Sequence, residues 1–297
     1  MQVNKKFIID TEFANTRIDK WLKLQTKKFP QSFIEKLLRS GKVKINNKKI
    51  KSSYKLQLND EAIVQFTYEE KKENEKFSYK ASLQEHKEIK KNVVFENQDY
   101  LVLNKPSGIS VQSGTKSPKN LIDILNKFSE NKKFYLVHRI DKETSGIIVF
   151  ASNRLFAQSL SEQFRNKQIS KSYLAILHGS LSVNEGTLEH DLIFKEKNKI
   201  KTFKAETDFD VLSKNKDYTY VEAVPITGRK HQIRQQFFKI NNPIVGDTKY
   251  VNPYFNNNKH SLMLHSYKIS FLYKGRKKTY KIDPPSQFKN LLKTFNL

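Results

Sequence analysis

The feature that most constrains the fold is a succession of short apolar segments in residues 91–297, with few helical patterns between them. These segments are rich in β-branched and aromatic residues, as strands are. The strand candidates are Val93–Phe95, Tyr100–Leu103, Tyr135–Val137, Ile147–Phe150, Tyr173–Leu177, Tyr218–Val224 and Tyr267–Phe271. Helical patterns cover residues 120–128, 153–166 and 230–239. Because strands often follow strands directly, the pattern predicts an α+β domain with a mixed, largely antiparallel sheet flanked by helices.

Residues 14–68 are predicted to form a separate small module. Ile18, Trp21 and Leu22 recur at helical spacing in an otherwise polar stretch. A second short helix follows, and apolar residues then alternate with polar ones on both sides of the turn signal Asn46-Asn47. The pattern predicts two short helices followed by a small β element.

The second helix of this module is predicted from signals at its two ends. Ser32 and Glu35 have the spacing of a capping box, in which each side chain bonds the other residue's backbone N–H. Gly41 suits the end of the helix, because glycine readily adopts the left-handed conformation found there. The helix is therefore expected to begin at Ser32 and to end just before Gly41.

The charge of the chain is strongly positive and is concentrated in the small module. The net charge is +25, from 55 Lys and Arg against 30 Asp and Glu. Within residues 16–55, thirteen Lys and Arg face only Asp19 and Glu35. This density is typical of a surface that binds a phosphate backbone, although a solvated lysine-rich face is the alternative. The candidate RNA-binding residues are Arg17, Lys20, Lys36, Arg39, Lys42 and Lys44.

Residues 69–90 are interpreted as a charged linker between the module and a catalytic domain in residues 91–297. They carry mixed charge, few aliphatic residues and no strong period. A charged, solvent-exposed helix is the alternative interpretation.

Several classes of function are excluded or disfavoured by composition. The chain has no cysteine, so thiol nucleophiles, disulfides and cysteine-ligated metals are excluded. The seven histidines show no metal-ligand spacing, and no phosphate-binding glycine loop is present, so neither a metal nor a cofactor is expected. No apolar run approaches a membrane span, and Met1–Lys6 lacks a signal core. A cytoplasmic protein with no membrane partner is therefore expected. The protein is also expected to be a monomer.

Glycine is scarce, with nine residues in the chain, so its positions are informative. Three glycines adjoin clusters of polar residues, namely Gly146, Gly228 and Gly246. Glycine suits sharp turns and close backbone approach, which loops that carry reactive groups often need. The clusters next to these glycines are therefore candidates for a functional site.

Two of these clusters contain charged groups that suit a catalytic site. Asp141 stands beside Arg139 and Lys142, and these cations favour an ionised carboxylate that could act as a nucleophile or base. A structural salt bridge or turn at Asp141 is the alternative. On a helix, His231 and Arg234 share a face, and Arg234 could clamp a carboxylate or phosphate. A basic amphipathic helix that merely packs is the alternative there.

The clusters resemble, in order, the motifs of the RluA/RluC/RluD-type pseudouridine synthases. The signature of that family is HRLDxxTSG, and the similarity covers about residues 90–285. The matching segments are Asn104-Lys-Pro-Ser-Gly108, His138-Arg-Ile-Asp-Lys-Glu-Thr-Ser-Gly146, Lys171-Ser-Tyr173, Gly228-Arg-Lys-His-Gln-Ile-Arg234, Asn242-Pro-Ile-Val-Gly-Asp247 and Leu264-His265. Residues 16–66 resemble an RNA-binding module shared by a small-subunit ribosomal protein and tyrosyl-tRNA synthetases. The combination is most similar to family members that modify large-subunit ribosomal RNA.

The resemblance implies a role for each matching residue. Asp141 would be the catalytic aspartate, and Tyr173 would stack on the uracil and accept a proton from the sugar. Arg234 would pair with Asp141, and Arg139 would hold or replace the flipped base. Leu264 would line the pocket, and the other expected substrate-binding residues are His138, Arg229 and His231. The departures from the family pattern are Ile140, Lys142-Glu143, Lys230 and Gln112.

The implied activity is isomerisation of specific uridines to pseudouridine in 23S ribosomal RNA, either free or in the assembling large subunit. The reaction requires no cofactor, and the target base must flip out of its stack. Transfer RNA is the alternative substrate. A non-catalytic RNA- or ribosome-binding protein is the rival interpretation, and an aspartate-based phosphotransferase is disfavoured because the chain lacks a DxDxT element.

Overall fold

A computed structural model describes residues 2–26, 29–67, 79, 81–114, 118–129, 132–196, 199–255 and 260–297. The chain divides into two units, residues 1–76 and residues 77–297. None of the helices in the described residues is long and apolar enough to cross a membrane.

The first unit packs two helices against a small antiparallel sheet. Its elements are β1 (Gln2–Ile8), α1 (Ile18–Thr26), α2 (Gln31–Arg39), β2 (Val43–Ile45), β3 (Lys48–Lys49) and β4 (Glu61–Thr67). The strand order is β1-β4-β2-β3. Ile18, Trp21 and Leu22 are buried in its core, as their helical spacing predicts, and Asn46 and Asn47 adopt the positive φ of a tight hairpin turn.

The predicted lower boundary of the module, residue 14, leaves out a strand. Strand β1 pairs with β4 along its whole length, from Gln2 opposite Thr67 to Ile8 opposite Glu61. Amide and lysine side chains occupy most positions of β1, so its sequence lacks the apolar alternation that predicts a strand.

The end of α2 is predicted correctly but its start is not. Gly41 has φ +72°, and the N–H groups of Gly41 and Lys42 bond the carbonyls of Leu38 and Leu37, as in a Schellman motif. The N-cap, however, is Pro30, with no side-chain cap. The predicted capping box is therefore absent, because the helix begins at Gln31 and Ser32 lies inside its first turn.

The second unit is built around one large mixed sheet with helices on both faces. Its elements up to the middle of the sheet are α3 (Leu83–Lys90), β5 (Val93–Glu96), β6 (Tyr100–Lys105), α4 (Leu121–Lys127), β7 (Tyr135–Leu136), β8 (Ser145–Ala151), α5 (Arg154–Arg165) and β9 (Ser170–His178). The remaining elements are β10 (Glu185–Glu196), β11 (Lys199–Lys214), β12 (Tyr218–Pro225), α6 (Gln232–Lys239), β13 (Leu264–Tyr273), β14 (Arg276–Lys281) and α7 (Ser286–Thr294).

The sheet is mixed and largely antiparallel, as the sequence predicts. Its order is β10-β11-β12-β9-β13-β8-β6-β5, with β14 paired to β13 and β7 to β8. The β8–β13 pair is parallel. Strand β8 is buried along its whole length. Ile148 and Phe150 pack in the cluster that contains α4, and Ile147 and Val149 pack in the cluster that contains α5.

Part of the predicted linker is a structural element of the second unit. Residues 83–90 form α3, which begins with a capping box between Ser82 and Glu85. His86 and Ile89 are buried, and the His86 ring lies 3.4 Å from the Ile124 carbonyl oxygen of α4. The linker interpretation is therefore wrong for residues 83–90. The alternative, a helix exposed to solvent, is also wrong for the face that carries His86 and Ile89. Residues 69–78 and 80 lie outside the described residues.

Besides β1 and α3, the elements that sequence patterns missed are β10, β11, β14 and α7. Strand β14 is rich in lysine, and most of its side chains are exposed. Strands β10 and β11 pair over their full facing length, but charged residues interrupt their apolar alternation. Period-based prediction depends on a buried face, so it fails where a strand is stabilised mainly by backbone pairing.

Candidate active site

A cleft of about 580 Å³ in the second unit brings the predicted catalytic and substrate-binding residues together. It is lined by the loop before β8, by β9, by the β12–α6 connection and by the end of α5. All eight predicted residues contribute to its wall: His138, Arg139, Asp141, Tyr173, Arg229, His231, Arg234 and Leu264. The volume is typical of a small-molecule site, and it suits a single nucleotide.

Two of the informative glycines permit close backbone approach beside the cleft. Gly146 has φ +105°, and a Cβ at this position would lie 2.2 Å from the Ser266 carbonyl oxygen. Gly246 has φ +76°, and a Cβ there would lie 2.0 Å from the carbonyl oxygen of Ser261. Neither position can accept a side chain without backbone movement. Gly146 thereby allows β8, which follows the Asp141 loop, to lie beside β13.

Lys105 anchors the loop that carries Asp141. The Lys105 side chain is fully buried, and its Nζ donates to the carbonyls of Pro106, Ile109 and Lys142 at 2.9, 3.0 and 2.9 Å. Burial lowers the pKa of Lys105 to about 7, while Glu143 and Asp141 act in the opposite direction. This lysine lies within one of the sequence motifs, but no role is predicted for it there.

The Asp141 carboxylate lies in the cleft between two basic side chains. Its Oδ2 is 3.6 Å from Arg234 Nη1, and its Oδ1 is 3.7 Å from His231 Nε2. Burial raises the pKa of Asp141, and Arg234, Arg139 and Lys105 oppose that rise. The sequence shows only the neighbouring cations, so the prediction of an ionised carboxylate missed the largest influence on this group.

Arg234 is held chiefly by Asp247 rather than by Asp141. Its Nε and Nη2 donate to the two carboxylate oxygens of Asp247 at 2.7 and 2.8 Å, and both side chains are buried. Asp247 Oδ1 also accepts the backbone N–H groups of Lys249 and Tyr250. Arg234 Nη1 is buried and has no hydrogen-bond partner among the described residues, although Asp141 and Glu143 lie within 3.7 Å.

The implied pairing of Arg234 with Asp141 is thus an ion pair without a hydrogen bond. Asp247 stands beside Gly246 in a sequence motif, but no role is predicted for it. The glycine beside Asp247 marks this segment as part of a candidate functional site. The partner of Asp247, Arg234, is thirteen residues away in the chain, and spacing alone does not identify it.

His231 lies before helix α6 rather than on it. It is the N-cap, with φ +53°, and α6 begins at Gln232. The prediction that His231 and Arg234 share a helical face is therefore wrong, although both approach Asp141. His231 Nδ1 lies 3.0 Å from the Tyr250 hydroxyl. Burial lowers the pKa of His231 to about 4, and Arg234, Lys249 and Lys230 lower it further, so the ring is neutral near pH 7.

Tyr173 and Leu264 form part of the apolar wall of the cleft. They lie on the neighbouring strands β9 and β13, and Leu264 is buried. Burial raises the pKa of Tyr173, Asp141 raises it further, and a hydrogen bond with Ser266 acts in the opposite direction. The phenol therefore keeps its proton at neutral pH, which disfavours the implied role as a proton acceptor.

His138 anchors backbone as well as lining the cleft. Its Nε2 accepts the Val149 N–H at 2.9 Å, and its ring stacks on Phe164 with centroids 5.0 Å apart. Burial lowers the pKa of His138 to about 3, with a further contribution from Lys171. The ring is neutral, and one of its nitrogens is already used in the structure.

Arg139 and Arg229 are exposed at the rim of the cleft. The Arg229 guanidinium lies over the Phe203 ring at 5.0 Å, and its Nε donates to the Lys204 carbonyl at 3.2 Å. Strand β11, which sequence patterns missed, therefore positions one of the predicted substrate-binding residues.

The six predicted RNA-binding residues of the first unit are all exposed: Arg17, Lys20, Lys36, Arg39, Lys42 and Lys44. Arg17 is also held by Asp19, with Nη2–Oδ2 at 2.8 Å and Nε–Oδ1 at 3.1 Å. The exposed cations can meet a polyanion without rearrangement of the core.

Comparison with known proteins identifies the family. The RNA pseudouridylate synthase family matches residues 99–239, and the S4 domain matches residues 16–61. Ribosomal large subunit pseudouridine synthase C from Vibrio cholerae is 34% identical over 93% of this chain and 91% of the relative. The protein of that name from Pasteurella multocida is 34% identical over 96% of this chain and 91% of the relative.

Solved structures agree on the fold. Human RNA Pseudouridylate Synthase Domain Containing 4 has a TM-score of 0.62 and 24% identity, over 72% of this chain and 96% of that chain. Human RNA Pseudouridylate Synthase Domain Containing 1 has a TM-score of 0.56 and 21% identity, over 69% and 94%. Taken with the full-length relatives, these matches show that the chain belongs to the RNA pseudouridylate synthase family, an isomerase family, and carries an S4 domain.

Proposed function

We propose that this enzyme isomerises specific uridines in large-subunit ribosomal RNA and that Asp141 is its catalytic carboxylate. The RNA class is supported by the relatives named ribosomal large subunit pseudouridine synthase C, which match across more than nine tenths of both chains. We also propose that it acts as a monomer, since the eight predicted catalytic and substrate-binding residues of a single chain meet in one cleft.

The position of Asp141 is the observation that carries the proposal. In the reaction, the bond from C1′ of the ribose to N1 of uracil breaks, the base rotates, and C5 joins C1′ while the C5 proton is lost and N1 gains one. The carboxylate assists by adding to the sugar or base, or by supporting departure of the uracilate. Arg234 Nη1 lies 3.6 Å from Asp141 and orients it through an ion pair, and the neutral His231 ring lies 3.7 Å away on the other carboxylate oxygen.

The rest of the cleft suits a flipped base. Tyr173 provides an aromatic face inside the cleft, and Leu264 provides an apolar wall. Arg139 is exposed at the rim, where its guanidinium can take the place of the departed base in the RNA stack. These contacts offset an unstacking cost of a few kcal/mol.

The six exposed cations of the first unit supply affinity that does not depend on sequence. Such contacts release counterions from the RNA, so the affinity falls steeply as the salt concentration rises. Selection of particular uridines then depends on RNA shape and on which unpaired bases reach the cleft.

The test is carbodiimide-adduct primer extension on transcribed large-subunit ribosomal RNA after incubation with wild type or Asp141→Asn. We expect new stops with wild type, and none with the variant despite RNA affinity close to that of wild type. Asp217→Asn, which changes an exposed carboxylate outside the cleft, is the matched control and should retain activity. An active Asp141→Asn enzyme would refute the catalytic role, and stops on transfer RNA alone would refute the proposed RNA class.

A further inference from the structure

Lys171 lies in the wall of the cleft with no role assigned to its side chain. It stands two residues before Tyr173 on β9, so the two side chains share one face of the strand, and both line the cleft. Burial lowers the pKa of Lys171, which reflects an ammonium that is partly removed from water. Its proximity to His138 contributes to the lowered pKa of that ring.

Within the described part of the chain, the Lys171 ammonium is half-buried and lacks a protein partner, whereas the other cleft cations without a partner, Arg139, Arg165 and Lys167, are exposed to water. Arg234 is held by Asp247, and Arg229 by the Lys204 carbonyl and the Phe203 ring. Among the described residues, none accepts a hydrogen bond from Lys171 Nζ or forms an ion pair with it. A half-buried charge without a partner is costly to the folded protein, so its retention in a cleft suggests that a ligand supplies the partner.

The absence of a side chain at Gly228 leaves space next to this ammonium. A Cβ at Gly228 would lie 3.3 Å from Lys171 Nζ, and the glycine itself is exposed. A larger residue would therefore cover the ammonium. The arrangement leaves Nζ open to a group that enters the cleft along the β12–α6 connection.

The chemistry of the ammonium favours an anion over a neutral acceptor. A carbonyl of the uracil could accept a hydrogen bond, but it would leave the positive charge uncompensated in a partly desolvated site. A phosphodiester supplies both a hydrogen-bond acceptor and the opposite charge. A nucleotide that flips into the cleft brings its own phosphodiesters with it.

We propose that Lys171 binds one of the two phosphodiesters that flank the target uridine and so holds the flipped nucleotide against Tyr173 and Asp141. This inference rests on the proposed function in that the ligand is the substrate RNA. It adds a phosphate subsite formed by Lys171 beside Gly228, inside the cleft and separate from the exposed cations of the first unit.

The test combines Lys171→Met with an RNA in which one flanking linkage is a neutral methylphosphonate. The RNA is a short hairpin built around a uridine that the wild-type protein is seen to isomerise, whichever RNA class it comes from. We expect Lys171→Met to weaken binding of the natural RNA by roughly 10- to 100-fold, the usual effect of losing a hydrogen bond between charged groups. A methylphosphonate at one of the two flanking linkages should weaken binding to the wild type by the same factor. The same replacement should not weaken binding to Lys171→Met any further.

Three comparisons distinguish the phosphate contact from a structural effect of the substitution and from a contact with the base. Lys171→Arg should restore most of the binding, and Lys216→Met, which removes an exposed charge in the β11–β12 turn, should bind like wild type. Loss of the phosphate contact should also reduce the slope of log affinity against log salt by about 0.7. The inference would be overturned if, at each of the two flanking linkages, the loss of affinity caused by methylphosphonate simply added to the loss caused by Lys171→Met. A Lys171→Met protein with normal binding and only a slower single-turnover rate would also overturn it, because that result would indicate contact with the base instead.

Because the hairpin is chosen by observed modification, failure of the proposed large-subunit RNA class would not alter this result. The two conclusions therefore fail separately.

Discussion

Arg234 shows how one side chain serves both the stability and the chemistry of the site. Two of its nitrogens bond Asp247 at 2.7 and 2.8 Å, which fixes the guanidinium plane. The remaining Nη1 is directed to Asp141, 3.6 Å away, with no hydrogen bond of its own among the described residues. The arginine is therefore anchored on one side and available on the other, as its proposed role in orienting the Asp141 carboxylate requires.

This anchoring predicts that Asp247→Asn destabilises the second unit. The substitution leaves the buried Arg234 charge without its ionic partner, a change that typically costs about 3 kcal/mol. Urea unfolding followed by far-UV circular dichroism measures the loss. Asp217→Asn, an exposed aspartate of the same unit, is the control and should be neutral. Equal midpoints for Asp247→Asn and wild type would show that the pair contributes little.

His231 predicts a pH dependence of stability. Burial lowers its pKa from 6.5 to about 4 in the folded protein. As the pH falls from 6.5 to 4, the unfolded chain binds a proton that the folded chain does not, so the free energy of unfolding decreases. The contribution of His231 to the free energy of unfolding is fully present above pH 6.5. Asparagine tolerates the positive φ of this position. His231→Asn should therefore reduce the slope of the free energy of unfolding against pH by about 1 kcal/mol per pH unit between pH 4 and 6.5.

The measurement is urea unfolding of both proteins at several pH values between 4 and 7. The other histidines are common to both proteins, so their contributions cancel in the comparison. Parallel curves for wild type and His231→Asn would contradict the lowered pKa of His231.

At the scale of elements, α3 shows that a local signal needs its context. Both Ser32–Glu35 and Ser82–Glu85 have capping-box spacing. The second pair forms the box, and Glu85 also bonds the Tyr79 hydroxyl and Lys119. The first pair does not, because α2 begins at Gln31, so its N-cap is Pro30, two residues before Ser32. Tertiary contacts therefore decide which of two equivalent patterns becomes a helix start.

The two serines form a matched experiment. Ser82→Ala should reduce the free energy of unfolding of the second unit by about 1 kcal/mol, the usual cost of losing an N-cap. Ser32→Ala should leave the first unit almost unchanged. Trp21 is the single tryptophan of the chain and is buried in the first unit, so its fluorescence follows that unit alone. A larger effect at Ser32 than at Ser82 would contradict the assignment of the caps.

At the scale of the whole molecule, the position of α3 indicates where the chain can be divided. Ala81 and Ile89 belong to a hydrophobic cluster of the second unit, together with residues of β6, α4 and β8. A truncation through residue 88 would remove Ala81 and most of α3. We expect residues 77–297 to fold, and residues 89–297 to lose much of their stability, as measured by thermal unfolding.

The shorter chain also tests the role of the first unit. Residues 77–297 should isomerise a uridine in a short hairpin but bind long RNA more weakly and with a smaller salt dependence, because the six exposed cations are gone. Binding titrations at several salt concentrations measure this. Unchanged salt dependence would show that those cations do not contact the RNA.

Sequence determined much of this protein, because local patterns depend on backbone periodicity and on special φ angles. The alternating strands, the mixed sheet, the turn at Asn46-Asn47 and the glycines that permit close approach follow from such rules. The motifs predicted the residues of one cleft, and those residues meet there.

Tertiary structure alone decided which side chains are partners. Asp247 rather than Asp141 bonds Arg234, His231 precedes α6, α3 packs into a core, and Lys171 has no partner among the described residues. Pairing and burial depend on distances through space between segments that are far apart in the chain. Burial also reversed the direction of the pKa shift expected for Asp141, since desolvation outweighs neighbouring cations only once the fold has excluded water.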